Sequence, residues 1–411
     1  ADKAANLLFW FALLAAAITA VVWAILGTPS MALVRVVTVL VIACPHALGL
    51  AIPLVVSIST GRAARQGILV SDRKALELVR SIDTVVFDKT GTLTLGEPAL
   101  LGVQLAPNAP AGMNEDRLVA LAAATEAQSQ HPLARAIVAA AQDRNLAVPQ
   151  ATGHDSATAV GVSATVEGTD IRVGGPALLS QAGAEPLSTD EWAQDGRIVL
   201  HVLVEGRVAG ALALADEVRP AAREAIEALH RLGIETAMLT GDAHNVAEAV
   251  GRELGIDRIE AQVRPEEKSA RVRQLQEQGK KVAMVGDGVN DAPALAQADV
   301  GLAIGAGTDV AIASAGIILA SEDPRAVVSV VRLSRASYRK MVQNLWWAAG
   351  YNLISVPLAA GVLAPIGFVM PMAIGALLMG ASTVVVALNA QTLRGLDLTA
   401  EGSVEWAKNQ T

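Results

Sequence analysis

The chain has 411 residues, of which 52% are hydrophobic and only 18% charged. That length holds two or three domains, and the apolar surplus excludes a purely soluble protein. A formal net charge of −8 argues against a nucleic-acid surface, and the single cysteine, Cys44, excludes an internal disulfide.

The first predicted element is the uncharged run Leu7 to Leu26. About 20 apolar residues cross a bilayer as a helix. A signal peptide is the alternative, but a signal core is about 7–15 residues behind a basic leader. Here the run is longer and the leader weakly basic. After Thr28-Pro29-Ser30, a second uncharged run extends from Val36 to Ser59 and contains Cys44-Pro45-His46. Proline removes a backbone donor and clashes with the preceding turn, so the helix kinks or opens there. On a regular helix Cys44 and His46 point to nearly opposite sides, and local opening lets both face one pathway. A histidine at mid-membrane depth is costly and is a functional candidate by default. Thiolate and imidazole suit copper, silver or zinc, not calcium or magnesium. The structural alternative is a proline kink with a buried cysteine and a histidine bonded to a neighbouring helix.

Thr84-Val85-Val86-Phe87 reads as a buried parallel strand ending in Asp88-Lys89-Thr90-Gly91-Thr92. From about Ala99 to Leu212 the texture changes to an inserted α+β module. It has a helical pattern over Leu118 to Ala141 and strand-like pieces at Val160 to Gly175 and Ile198 to Val208. Beyond Asp216, helices at Arg223–Leu232, Asn245–Leu254 and Glu266–Gln278 alternate with strands at Glu235–Leu239 and Val282–Val285. That alternation predicts a doubly wound parallel sheet. Two of its strands end in Thr240-Gly241-Asp242 and in Gly286-Asp287-Gly288-Val289-Asn290-Asp291, with Pro265-Glu266-Glu267-Lys268 between.

Open α/β sheets place chemistry at the carboxyl ends of their strands, so these clusters converge on one edge with Asp88. A carboxylate there can attack the terminal phosphate of ATP and carry it as an aspartyl-phosphate. Thr-Gly-Thr can turn sharply and offer groups to phosphate oxygens. Asp88, Thr90 and Asp287 are the magnesium candidates, since hard cations prefer oxygen. Thr240 and Lys268 can contact the transferred phosphoryl oxygens. Lys89, Gly241, Asp242, Asn290 and Asp291 complete the expected catalytic set.

Asn344 to Leu393 is uncharged and broken near Ala364-Pro365 and Met370-Pro371, which predicts two further spans and four in all. They carry Tyr351-Asn352, Met379 and Ser382-Thr383. Polar residues in membrane helices usually bond to neighbouring helices. Arg62, Arg65, Arg73 and Lys74 follow the second span, and Arg335, Arg339 and Lys340 precede the third. These basic flanks put the large middle region in the cytosol.

The three strand-end motifs, in this order, resemble the phosphorylation domain of P-type ATPases, a haloacid-dehalogenase-like fold. The inserted module resembles their nucleotide-binding domain, through Glu126, Ser129-Gln130-His131-Pro132-Leu133 and Val173-Gly174-Gly175-Pro176. Ser-x-His-Pro is typical of the heavy-metal branch. By that resemblance Glu126 and His131 contact the adenine end of ATP, beside Gly161, Gly174 and Gly175. Where the family shows Gly-x-Gly, this chain reads Ala159-Val160-Gly161. Cys-Pro-His resembles the copper-exporting subgroup of type IB. The last span of that subgroup tends to read Met-Ser-x-Ser-Thr; here it is Met379-Gly380-Ala381-Ser382-Thr383. The resemblance implies a transported-ion set of Cys44, His46, Tyr351, Asn352, Met379, Ser382 and Thr383.

The expected fold class is α-helical membrane spans plus a cytosolic α/β haloacid-dehalogenase-like phosphorylation domain with an inserted α+β nucleotide-binding domain. The expected boundaries are 1–66 (two spans), 67–98 and 213–335 (phosphorylation), 99–212 (nucleotide binding), 336–395 (two spans) and 396–411 (a cytosolic tail). The implied function is ATP-driven export of copper or silver through an aspartyl-phosphate, with ATP and Mg²⁺. The implied setting is the plasma (inner) membrane bilayer, with a metallochaperone or extracytosolic acceptor as partner and no nucleic acid. Alternatives are a zinc or cobalt transporter, a non-catalytic metal sensor, or a membrane-anchored phosphatase of the same superfold. Such phosphatases usually place a second aspartate where this chain has Thr90. The actuator motif Thr-Gly-Glu does not occur; Thr60-Gly61 is followed by Arg62. The chain therefore reads as the carboxyl-terminal part of a longer transporter, able to form a phosphoenzyme but slow to turn over alone.

Overall fold

The computed structural model describes residues 2–27, 29–44, 46–157, 160–189, 191–192, 196–287, 289–305 and 309–410. Two compact units emerge, one from residues 1–81, 316–318 and 329–403, the other from 82–315, 319–328 and 404–411.

The first unit is helical. Among the described residues, three stretches are long and apolar enough to cross a membrane: Asn6–Leu26, Pro29–Ala64 and Met372–Gly395. The fourth expected span falls outside this measure. The remaining helix, Ala326–Ala360, has the length, at 35 residues. Gln343, Asn344, Tyr351, Asn352 and Pro357 dilute its apolar half. The second stretch is not one helix. It is helical over Pro29–Ile42, His46–Ala51 and Pro53–Ala64. The break at Pro53 follows from its missing N–H. The predicted opening at the Cys-Pro-His motif appears as a helix end at Ile42 and a restart at His46; Thr28 and Pro45 lie outside the described residues. Small residues let these helices approach closely. A Cβ on Gly375 would stand 2.2 Å from Ile42 Cδ1, in a cluster with Ala12, Ala16, Val39 and Val356.

The second unit holds parallel strands in the order Val300–Ile304, Val282–Gly286, Thr84–Asp88, Glu235–Leu239 and Arg258–Glu260. Four of these five strands carry an uninterrupted apolar stretch of at least three residues, as expected when helices cover both faces. Val86 pairs with Met284 on one side and Ala237 on the other, so Asp88 emerges between the two other motif-bearing strands. The inserted module is a six-stranded antiparallel sheet in the order Thr94–Leu105, Arg207–Val218, Ile198–Val204, Thr169–Gly174, Gly161–Val166 and Ala151–Ala157. Helices Glu115–Glu126 and Pro132–Asp143 pack on it through Leu118, Ala122 and Ile137. The first two strands pair from Thr94↔Val218 to Leu105↔Gly210. Residues 98/99 and 212/213 therefore lie inside a ribbon that leads from the parallel sheet into the module. The single helical pattern Leu118–Ala141 resolves into two helices. Pro132 excludes the helical conformation from the residue before it, and His131 is extended (φ −64°, ψ 139°).

Candidate functional site

Asp88 ends its strand in a buried position, and the turn Lys89–Leu93 follows. Gly91 takes φ +75°, where a Cβ would lie 2.2 Å from Asp287 Oδ2. Only glycine lets the turn close against that carboxylate. Lys268, in the first turn of helix Pro265–Glu277, is buried and donates to Asp88 Oδ1 at 2.5 Å and Asp291 Oδ1 at 2.7 Å. Lys89 pairs with Asp242. Thr240 is buried, and its Oγ1 accepts from Asp242 N at 3.1 Å. Thr90, Gly241 and Asn290 expose their surfaces beside the cluster; Gly288 lies outside the described residues. Carboxylate oxygens of Asp88, Asp287 and Asp291 fall within 4.8 Å of one another.

Crowding three carboxylates in a dry site has electrostatic consequences. Burial, then the charge of Asp291, pushes the Asp88 carboxyl up to about 7, against the pull of Lys268. Burial and Asp291 also raise Asp287. Burial works to lower Lys268, yet Asp88 and Asp291 hold it above its ordinary range. The all-oxygen donor set fits a hard divalent cation.

In the inserted module, a cavity of about 460 Å³ is lined by Glu126, Ser129, His131, Gly161, Gly174 and Gly175, among others. The glycines make room: a Cβ on Gly161 would sit 2.2 Å from Val173 O, and one on Gly174 2.3 Å from Val160 O. Ala159 lies outside the described residues. Glu126 is buried, its Oε2 has no hydrogen-bond partner, and burial pushes its carboxyl up to about 7. His131 caps helix Pro132–Asp143, its Nδ1 accepting from Leu133 N at 3.2 Å. A second cavity, of about 890 Å³, shares His131 and Leu133 with the first and reaches Lys89, Thr90 and Asp242.

In the helical unit, the remaining expected residues surround two adjoining cavities. One, about 10 Å³, is lined by Cys44, Tyr351, Asn352, Met379 and Ser382. The other, about 670 Å³, is lined by Cys44, His46, Met379, Gly380 and Thr383. Asn352 and Ser382 are buried, and Asn352 Oδ1 and Ser382 Oγ have no hydrogen-bond partner. Such atoms are expensive unless something else satisfies them. Thr383 Oγ1 donates to Met379 O at 3.2 Å, and Tyr351 Oη to Gly375 O at 3.3 Å.

Sequence reasoning missed Arg197 and Arg252, which line the larger catalytic-unit cavity. Neither stands in a motif, and no spacing signal marks them. Lys268 was expected at the phosphoryl group, but its bridge to Asp291 was not.

A family profile for haloacid dehalogenase-like hydrolases matches residues 82–299. The chain is 47% identical over 398 residues to copper-exporting P-type ATPase B of Archaeoglobus fulgidus, covering 96% of this chain and 56% of that protein. It is 43% identical to copper-exporting P-type ATPase B of Enterococcus hirae, covering 96% and 53%. The chain thus spans about half the length of the curated relatives it matches. Among solved structures, a zinc-transporting PIB-type ATPase in the E2.Pi state superposes with a TM-score of 0.81 at 33% identity, covering 95% of this chain and 62% of that one. The catalytic domain of a CPx-ATPase, solved to follow conformational changes upon nucleotide binding, gives a TM-score of 0.53 at 28% identity, covering 67% and 97%.

Proposed function

This chain belongs to the haloacid dehalogenase-like hydrolases, and from that premise we propose that it is of their heavy-metal P-type ATPase branch and works in the ATP-driven export of copper or silver ions. The observation that carries the proposal is the meeting of three strand-end motifs at Asp88. Lys268 bridges Asp88 to Asp291, and Asp287 presses on the turn at Gly91.

The adenine end of ATP enters the cleft at Glu126, Gly161, Gly174 and Gly175. The cavities that share His131 lead its phosphates towards Thr90. An Asp88 oxygen attacks the γ-phosphorus, the bond from that phosphorus to the β,γ-bridging oxygen breaks, and ADP departs with the electron pair. Asp88 then carries the phosphoryl group as an acyl phosphate. Lys268 and Thr240 face the transferred oxygens, where positioning and charge neutralisation supply most of the catalysis. Asp88, Thr90 and Asp287 are the residues that would hold Mg²⁺, which supplies further neutralisation of phosphate charge. Lys89, Gly241, Asp242 and Asn290 frame the same edge. Thr90 offers no carboxylic acid two residues after the nucleophile, which favours a long-lived phosphoenzyme over a phosphatase.

Cys44, His46 and Met379 form a soft donor set for the transported ion, with Tyr351, Asn352, Ser382 and Thr383 around them. Zinc is the second reading, supported by the His46 imidazole and by the zinc-transporting structural relative. The basic flanks support a cytosolic catalytic unit; the plasma (inner) membrane and a metallochaperone or extracytosolic acceptor complete the reading by family resemblance alone. The segment boundaries expected from the sequence remain part of this proposal.

Incubation with γ-labelled ATP and Mg²⁺ tests it. An acid-stable, hydroxylamine-labile label on Asp88, absent from Asp88→Asn, is expected. A folded sample that takes no label overturns the proposal. Competition among Ag⁺, Cu⁺ and Zn²⁺, with Cys44→Ser and His46→Ala as controls, decides the ion.

A further inference from the structure

We propose that Glu322 is a positioning residue for the phosphorylation turn, acting through Arg219; this rests on the phosphoenzyme reading above. Arg219 is mostly buried and holds the returning limb of that turn at three points. Its backbone N–H donates to Leu93 O at 2.9 Å. Its Nε donates to Thr94 O at 2.9 Å, and its Nη2 to Gly91 O at 3.4 Å. The same Nη2 donates to Glu322 Oε2 at 2.9 Å. One guanidinium nitrogen is therefore shared between the turn and a carboxylate 103 residues further along the chain.

What the guanidinium holds decides where Asp287 sits. Gly91 has no room for even a methyl group beside the Asp287 carboxylate. The turn and the carboxylate are packed with no space for a side chain between them, so the path of the turn sets the seat of Asp287. Glu322 fixes the orientation of the planar fork, which is what a bidentate guanidinium needs to reach two carbonyls at once. Glu322 is itself seated: a Cβ on Gly305 would come within 3.1 Å of its Cγ, and Gly305 N donates to Ser321 O at 3.2 Å. Next to it, Arg325 pairs with Glu224 at 2.9 Å. The segment that carries Glu322 runs directly into helix Ala326–Ala360, which bears Asn352. The strand that precedes Arg219 leads back into the inserted module. Among the described residues, Glu322 reaches the turn through Arg219 and lines neither the nucleotide cleft nor the carboxylate cluster.

The test compares the full chain with Glu322→Ala, Glu322→Gln and Arg219→Lys in three measurements: the single-turnover rate of Asp88 labelling by ATP, binding of a fluorescent ATP analogue, and Mn²⁺ titration by electron paramagnetic resonance. Glu322→Ala is expected to slow labelling about 10-fold and weaken Mn²⁺ several-fold with unchanged analogue binding. Glu322→Gln, which keeps the acceptor, restores labelling to within about 3-fold of the parent. Arg219→Lys, which cannot serve both carbonyls, behaves like Glu322→Ala. A labelled parent with Glu322→Ala equal to it in rate and Mn²⁺ affinity overturns the inference. A purely structural role is also an overturning result, and would lower thermal stability and all three readouts together. If Glu322→Ala fails to fold, Glu322→Gln and Arg219→Lys decide by the same split. An unlabelled parent instead sinks the phosphoenzyme reading itself.

Discussion

Replacing Asp88 with Asn should abolish phosphoenzyme formation and stabilise the protein at neutral pH. Asp88 has its carboxyl raised from 3.8 to about 7, first by burial and then by Asp291. The folded state therefore binds this proton more tightly than the unfolded chain. Below pH 3.8 both states hold the proton and the penalty is absent. As pH rises from 3.8 to 7 the unfolded chain has released its proton and the folded one has not, so stability falls, and it levels off above 7. At ~1.4 kcal/mol for each pH unit, the accumulated penalty is about 4 kcal/mol. Asn carries no charge, and Lys268 keeps Asp291 as its partner. The gain should be roughly 2–4 kcal/mol at pH 8 and shrink towards zero near pH 4. Native-state hydrogen exchange of the amides of Val85–Phe87 and Ala283–Val285, in EDTA at pH 5 and pH 8, measures it. Mg²⁺ should narrow the gap by stabilising the ionised parent site. A variant no more stable than the parent at pH 8, or a gain that does not vary with pH, refutes the electrostatic reasoning.

Two further outcomes follow from single positions. Gly91→Ala pays a left-handed backbone cost of about 1–2 kcal/mol and drives its Cβ into Asp287; phosphoenzyme formation in acid-quench experiments should fall about 100-fold. An unchanged rate would show that Asp287 does not depend on the turn. Asn352→Leu removes a buried oxygen without a partner and should stabilise the helical unit by about 1–3 kcal/mol in thermal unfolding. The same variant should weaken Ag⁺ binding about 10-fold by titration; undiminished affinity would take Asn352 out of the ion site.

Much of the catalytic edge was legible from the chain because a polar cluster after an apolar run announces a strand end. Alternation of helices and strands then fixes which ends share an edge. Thr84–Asp88 and Glu235–Leu239 lie side by side in parallel, with Asp88 opposite Leu239. The long uncharged runs announce membrane helices, and Gln343, Asn344 and Asn352 lower the apolar character of one of them. The break after His131 was written in Pro132, yet the alanine-rich pattern across it read as one helix.

The sequence by itself determined which groups this protein can offer: a carboxylate behind a strand, glycines in the turn after it and in the inserted module, and a thiol and an imidazole flanking a proline in an apolar run. These are properties of residue types and of spacings within one segment, which propensity and hydropathy govern locally. The tertiary structure alone decided the partners. Lys268 meets Asp88 across 180 residues and Asp291 across 23, Gly91 meets Asp287, and Arg219 is shared with Glu322. Such meetings depend on sheet order and close packing, which act through space and leave no periodic trace along the chain.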